Sequence, residues 1–166
     1  MSLTPSIRML VLPVSDPDSF ETLSLADRLE QSIWNEEFSA TSGEKPGEFF
    51  LRAVDADLGV FSYGEQDLEN ELVETCFIDG DTLADRYADL RRLVDEDADS
   101  TVRALAKADP KADVDAIRAS LGSGDRPELA SPAVEAAAFA RTLLTAAEQA
   151  VGNGLGVCWE LHGSFE

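Results

Sequence analysis

The residue types best suited to chemistry stand close together near the end of this chain: Cys158, Glu160 and His162, the last being the only histidine. On an extended strand alternate residues share a face. All three should therefore project from one side while Val157, Trp159 and Leu161 project from the other. A thiol, a carboxylate and an imidazole are the parts of a nucleophilic triad or of a partial zinc site. The spacing works against the direct form of that chemistry. A rise of about 3.3 Å per residue already puts strand neighbours at i and i+2 nearly 7 Å apart, so a direct Cys158–His162 hydrogen bond is out of reach. An orienting group from another element would be needed, and none is marked in the sequence. A half-exposed strand with a polar outer face accounts for the same three residues.

Carboxylates supply two further candidates. Asp95, Asp97 and Asp99 alternate, with Val102 in the eighth place, which echoes the opening of an EF-hand calcium loop. Ser100 stands where the sharp turn needs glycine, and Ala106 where a bidentate Glu should close the shell. An acidic linker leading into a helix N-terminus explains the run as well, because carboxylates are stabilising there. The other candidate is a surface. Acidic residues cluster at Asp16/Asp18, Glu36/Glu37, Asp55/Asp57, from Glu65 to Glu74, and at Asp79/Asp81. Asp95 to Asp99 adds a further cluster; Glu69, Glu71, Glu74, Asp79 and Asp81 are the candidate binding residues of such a face, which would dock a basic partner.

No Gly-x-Ser-x-Gly, His-Glu-x-x-His or paired Cys-x-x-Cys motif occurs. Gly122-Ser123-Gly124 has neither a preceding strand nor a lysine and reads as a linker, not a phosphate cradle. No cofactor is implied.

The elements that must position these residues follow from local pattern. Ile7 to Leu12 is apolar on both faces and predicts a central strand ending at Pro13. Ser15 to Ser19 predicts a turn. Ser24 and Asp27 have capping-box spacing, and Leu25, Leu29 and Ile33 then predict a helix to about Phe38, with Trp34 and Phe38 on or near its apolar stripe. Thr41 to Gly47 is a loop. Glu48 to Leu58 predicts a helix that Gly59 terminates, with Phe49 and Phe50 assigned to the core. Val60 to Tyr63 and Leu72 to Ile78 predict two strands, the second stopping at Asp79-Gly80. Helices follow from Thr82 to Val94, from Ser100, and over Val114 to Leu121. The longest opens at Ser131-Pro132 and runs to Val151, before a final strand over Leu155 to Leu161.

These elements give the class α+β: a small mixed sheet of about three to four strands packed with five to six helices, as one domain over residues 1–166. The apolar share of 44% is ordinary for a globular protein. The charge is not: 33 Asp and Glu stand against 13 Lys and Arg, a net −20 spread along the whole length. Lysine is scarce (Lys45, Lys107 and Lys111), which fits GC-rich coding or adaptation to high salt. Two cysteines, Cys76 and Cys158, lie in apolar stretches and do not read as a secreted disulfide framework. With no signal-peptide pattern and no apolar run long enough to span a bilayer, the expected compartment is the cytoplasm.

A field of this sign repels nucleic acid and anionic membranes and attracts basic protein surfaces. The expected function is therefore that of a non-catalytic protein-binding module, an inhibitor, adaptor or immunity-like antagonist, whose partner presents a basic surface. The alternative is a small enzyme with a site built from dispersed carboxylates near Cys158, Glu160 and His162. A homodimer through the alanine-rich face of residues 132–151 is a third possibility.

Overall fold

The computed structural model describes residues 5–42, 44–66, 72–124 and 131–163. Its sheet is built outward from two apolar strands, β1 (Ser6–Val11) and β5 (Val157–His162), which pair antiparallel with Arg8 opposite Glu160 and Leu10 opposite Cys158. Strand β2 (Trp34–Ser39) flanks β1, and the hairpin of β3 (Phe61–Gln66) and β4 (Leu72–Ile78) flanks β5. The order is β2-β1-β5-β4-β3 and every pairing is antiparallel. The sheet thus has five strands, not three or four, and is not mixed. Among the described residues there are seven α-helices, against the five or six expected.

Both extra elements lie between β1 and Ala40. The expected turn at Ser15 to Ser19 is instead a short helix, α1 (Pro17–Glu21), capped by Asp16, whose carboxylate accepts from the Ser19 N–H at 3.1 Å. Next, α2 (Leu25–Gln31) starts at the anticipated cap, with the Asp27 N–H on Ser24 Oγ at 3.2 Å, but it does not continue to Phe38. Ser32 turns extended, its hydroxyl donates to the Leu29 carbonyl, and the Ile33 N–H goes to the Val11 carbonyl at 2.8 Å. From there residues 34–39 complete the sheet. The periodicity of Leu25, Leu29 and Ile33 misled because it is not the buried face. Leu29 and Ile33 are exposed, and the side chain that α2 buries is Arg28. Pairing with β1 overrides the local helical pattern.

By Cα proximity the chain divides into two units. The first holds the sheet, α1, α2 and the start of α4 (Gly80–Arg91), and it includes the end of α7 (Pro132–Val151) from Thr145. One face of its sheet carries an apolar cluster of Leu10, Leu12, Phe20, Phe77 and Cys158, with Val14 and Leu23 packed against it. Phe20 stacks on Phe77 with ring centroids 4.3 Å apart, and the Arg28 guanidinium lies 4.2 Å above Phe20 on the other side. Two glycines allow the tight joints here. A Cβ on Gly156 would stand 2.5 Å from the Ile78 carbonyl oxygen, and one on Gly80 would stand 2.6 Å from that of Gly154.

The second unit contains α3 (Pro46–Val54), α5 (Ala98–Ala108), α6 (Val114–Ser123) and the first part of α7. Phe49 and Phe50 are buried in it as expected. Helix α3 ends about one turn earlier than a Gly59 stop would give, because Asp55 itself adopts the left-handed conformation at φ 53°. The loop before α3 is held by a buried carboxylate: Glu135 accepts from the Ser42 N–H at 3.2 Å and from the Thr41 hydroxyl at 3.3 Å. Between α4 and α5 the backbone widens into a π-turn at Arg92–Glu96. No helix among the described residues is long and apolar enough to cross a membrane.

Candidate functional site

Strand β5 is central, and that changes the surroundings of its polar residues. Cys158 and Glu160 are fully buried and His162 is half-buried, so the expected half-exposed outer face does not exist. An alternating strand is solvent-exposed on one side only if nothing covers that side, and here α1, the link after it and α2 supply Phe20, Leu23 and Arg28 to it.

Glu160 organises a compact charged cluster. Its Oε1 accepts from Arg8 Nε at 2.8 Å, lies 2.5 Å from Arg8 Nη2, and meets His162 Nε2 at 3.1 Å. Its Oε2 lies 4.0 Å from Nη1 of Arg28, a side chain with no exposed surface. Arg8 also reaches the Leu25 carbonyl at 3.4 Å, tying α2 to the sheet. Glu160 and Thr75 stand opposite each other on neighbouring strands, and Glu160 Oε2 and Thr75 Oγ1 are both buried without a hydrogen-bond partner among the described residues. Two guanidinium groups around one buried carboxylate form a brace. Removing either sign leaves an uncompensated charge inside the fold.

This is not the geometry of a nucleophilic site. Burial, and beside it the Glu160 carboxylate, push the Cys158 thiol well above its ordinary pKa, so it stays protonated. The Glu160–His162 contact does form, because the long glutamate side chain bridges the i to i+2 separation. The orienting groups absent from the sequence reading are Arg8 and Arg28. Arg8 is visible as a lone arginine inside the apolar run Ile7 to Leu12, whereas Arg28, following Asp27 and close to Glu30, carries no such local signal. Their convergence on Glu160 depends on a register between β1 and β5 that no local pattern encodes.

The three aspartates of the calcium-loop reading are not gathered. Asp95, in the π-turn, pairs with Arg141 at 2.5 Å, Asp99 pairs with Arg118, and Asp97 flanks the start of α5. Among the described residues no group of three His, Cys, Asp or Glu side chains is placed to hold a metal ion.

Of the anticipated docking residues, Glu69 and Glu71 lie outside the described residues. Glu74 is half-buried and accepts from Ser62 Oγ at 3.0 Å. Asp79 caps α4, accepting from the Thr82 N–H at 2.7 Å, while Asp81 is exposed. A different acidic stretch stands out. Between Pro13 and Ala40, Asp16, Asp18, Glu21, Asp27, Glu30, Glu36 and Glu37 are all exposed, and the one base in that stretch, Arg28, is withdrawn into the core. The α4 surface is different, since Asp81, Asp85 and Asp89 alternate with exposed Arg86 and Arg91. The acidic stretch includes β2, an edge strand, and the exposed Leu29 and Ile33.

Comparison of the chain with protein families, with curated proteins and with solved structures finds no match.

Proposed function

We propose that this chain is a non-catalytic protein-binding module that docks a basic protein surface on the segment formed by α1, α2 and β2. The observation that carries the reading is the withdrawal of Arg28. It leaves the whole segment from Pro13 to Ala40 with exposed carboxylates and no exposed cation. Leu29 at 41% and Ile33 at 53% exposure add apolar contact area within it, of the kind that anchors an interface whose rim is charged. Strand β2 adds the backbone groups of a sheet edge, which pair readily with an extended partner segment. Carboxylates at the rim raise association rate and partner selectivity more than they raise affinity, so binding should be fast and sensitive to salt.

The experiment is affinity capture with immobilised protein, washed at rising sodium chloride, run beside a Glu36→Lys/Glu37→Lys bait. A protein retained by the native bait, released by salt and not retained by the charge-reversed bait supports the reading. Equal retention on both baits would sink it.

A further inference from the structure

Strand β2 closes one end of the sheet. It pairs with β1 on one side, and among the described residues no backbone group of Trp34 to Glu37 bonds outside that ladder. Such an edge is a template for another strand unless proline, lysine, a bulge or a covering segment blunts it. β2 has neither proline nor lysine, and its six residues pair one for one with Ser6–Val11 without a bulge. Asn35, Glu36, Glu37 and Ser39 are exposed along it.

What guards this edge is charge of a single sign. Glu36 and Glu37 are consecutive, so they project from opposite faces of the sheet. Glu36 stands opposite Met9 on β1. Glu37 stands opposite Arg8, but that guanidinium is committed to Glu160 at 2.5 Å and leaves Glu37 uncompensated. Neither carboxylate has an ion-pair partner among the described residues. A second copy laid along β2 would set carboxylate against carboxylate, which is unfavourable between neighbouring strands. A strand with basic residues at two successive positions would instead set one cation beside each carboxylate, one on either face.

We infer that the β2 edge takes an extended dibasic peptide segment as a sixth strand, antiparallel, with two adjacent Lys or Arg residues beside Glu37 and Glu36. This binding mode rests on the docking reading proposed above and specifies its partner. Main-chain pairing fixes the register, and the two carboxylates select the sequence. Antiparallel addition continues the pattern of every other pairing in this sheet. Past Asn35 the edge becomes apolar, with Trp34 half-buried and Ile33 exposed just before the strand. The segment should therefore carry apolar residues two and three places after its basic pair.

The probe is the peptide Thr-Val-Lys-Arg-Thr-Val-Val, titrated into the full nitrogen-labelled chain and followed by amide NMR. It should give saturable shifts over residues 33–39, with a dissociation constant on the order of 1 mM. Two N-methylated forms of the peptide carry methyl groups on alternate backbone nitrogens, one set each. Alternate N–H groups of a paired strand face its neighbour, so one set should abolish binding and the other should leave it within about twofold. Glu36→Gln/Glu37→Gln in the protein, or Gln-Gln in place of Lys-Arg in the peptide, should weaken binding about tenfold. An absence of saturable shifts at residues 33–39, equal affinities of the two methylated forms, or native affinity after either charge removal would overturn edge pairing. Decalysine separates that failure from failure of the broader reading. Salt-sensitive shifts with decalysine between Asp16 and Glu37 would leave the acidic docking segment standing, and their absence would remove both.

Discussion

At the scale of single residues, Glu160 holds the centre of the sheet together. With two guanidinium groups gathered on it, Glu160→Ala leaves buried positive charge without an anion and should cost about 3–5 kcal/mol in urea unfolding. The triple replacement of Arg8, Arg28 and Glu160 by Met should recover most of that loss, because well-packed apolar groups substitute for a buried ionic cluster at little cost. A loss below about 1 kcal/mol for the single variant would mean the cluster is not the brace described. Cys158 gives a second check. Its folded thiol has a raised pKa, so the native protein keeps this proton where an unfolded chain has released it. The associated stability is complete below the unfolded thiol pKa of about 8.5 and declines above it. Iodoacetamide should therefore label Cys158 slowly in the native state at neutral pH and promptly in denaturant, and prompt native labelling contradicts its burial. The sequence showed the three polar side chains of β5 and their common face. It concealed their partners, since Arg8 and Glu160 are 152 positions apart and meet only through strand register.

At the scale of elements, local signals served where local chemistry decides. Strand β4 and helix α7 fall where threonine-bearing apolar alternation and a Ser-Pro start place them, and the Ser24 cap begins α2 as its spacing requires. The misreading at residues 34–39 has a tertiary cause. Asn35, Glu36 and Glu37 are poor strand formers, yet β2 forms because β1 presents an edge that pairs with it residue by residue from Ser39 to Trp34. The joint between β4 and β5 is equally invisible locally and is sharply testable. Gly156→Ala would drive a Cβ against the Ile78 carbonyl at 2.5 Å and the Phe77 ring at 2.7 Å. Backbone cannot yield as a flexible side chain does, so the variant should lose about 1–3 kcal/mol. Gly122→Ala, whose added methyl meets nothing, should be neutral or slightly stabilising. Equal effects from the two substitutions would contradict the packing described.

At the scale of the whole molecule, the net charge of −20 was plain from composition, and its consequence for stability is direct. Self-repulsion falls as the Debye length shortens, so the unfolding temperature should rise as sodium chloride increases from low millimolar to physiological strength. What composition could not give is where the carboxylates are left uncompensated. That depends on which of the few cations are withdrawn, and the burial of Arg28 decides it for the segment of α1, α2 and β2. The most direct measurement is amide NMR of the labelled protein titrated with a decalysine peptide. Docking on this acidic segment predicts salt-sensitive shifts concentrated between Asp16 and Glu37 and nearly lost in the Glu36→Lys/Glu37→Lys variant. Shifts of equal size along α4, α5 and α6, unchanged by that variant, would contradict it.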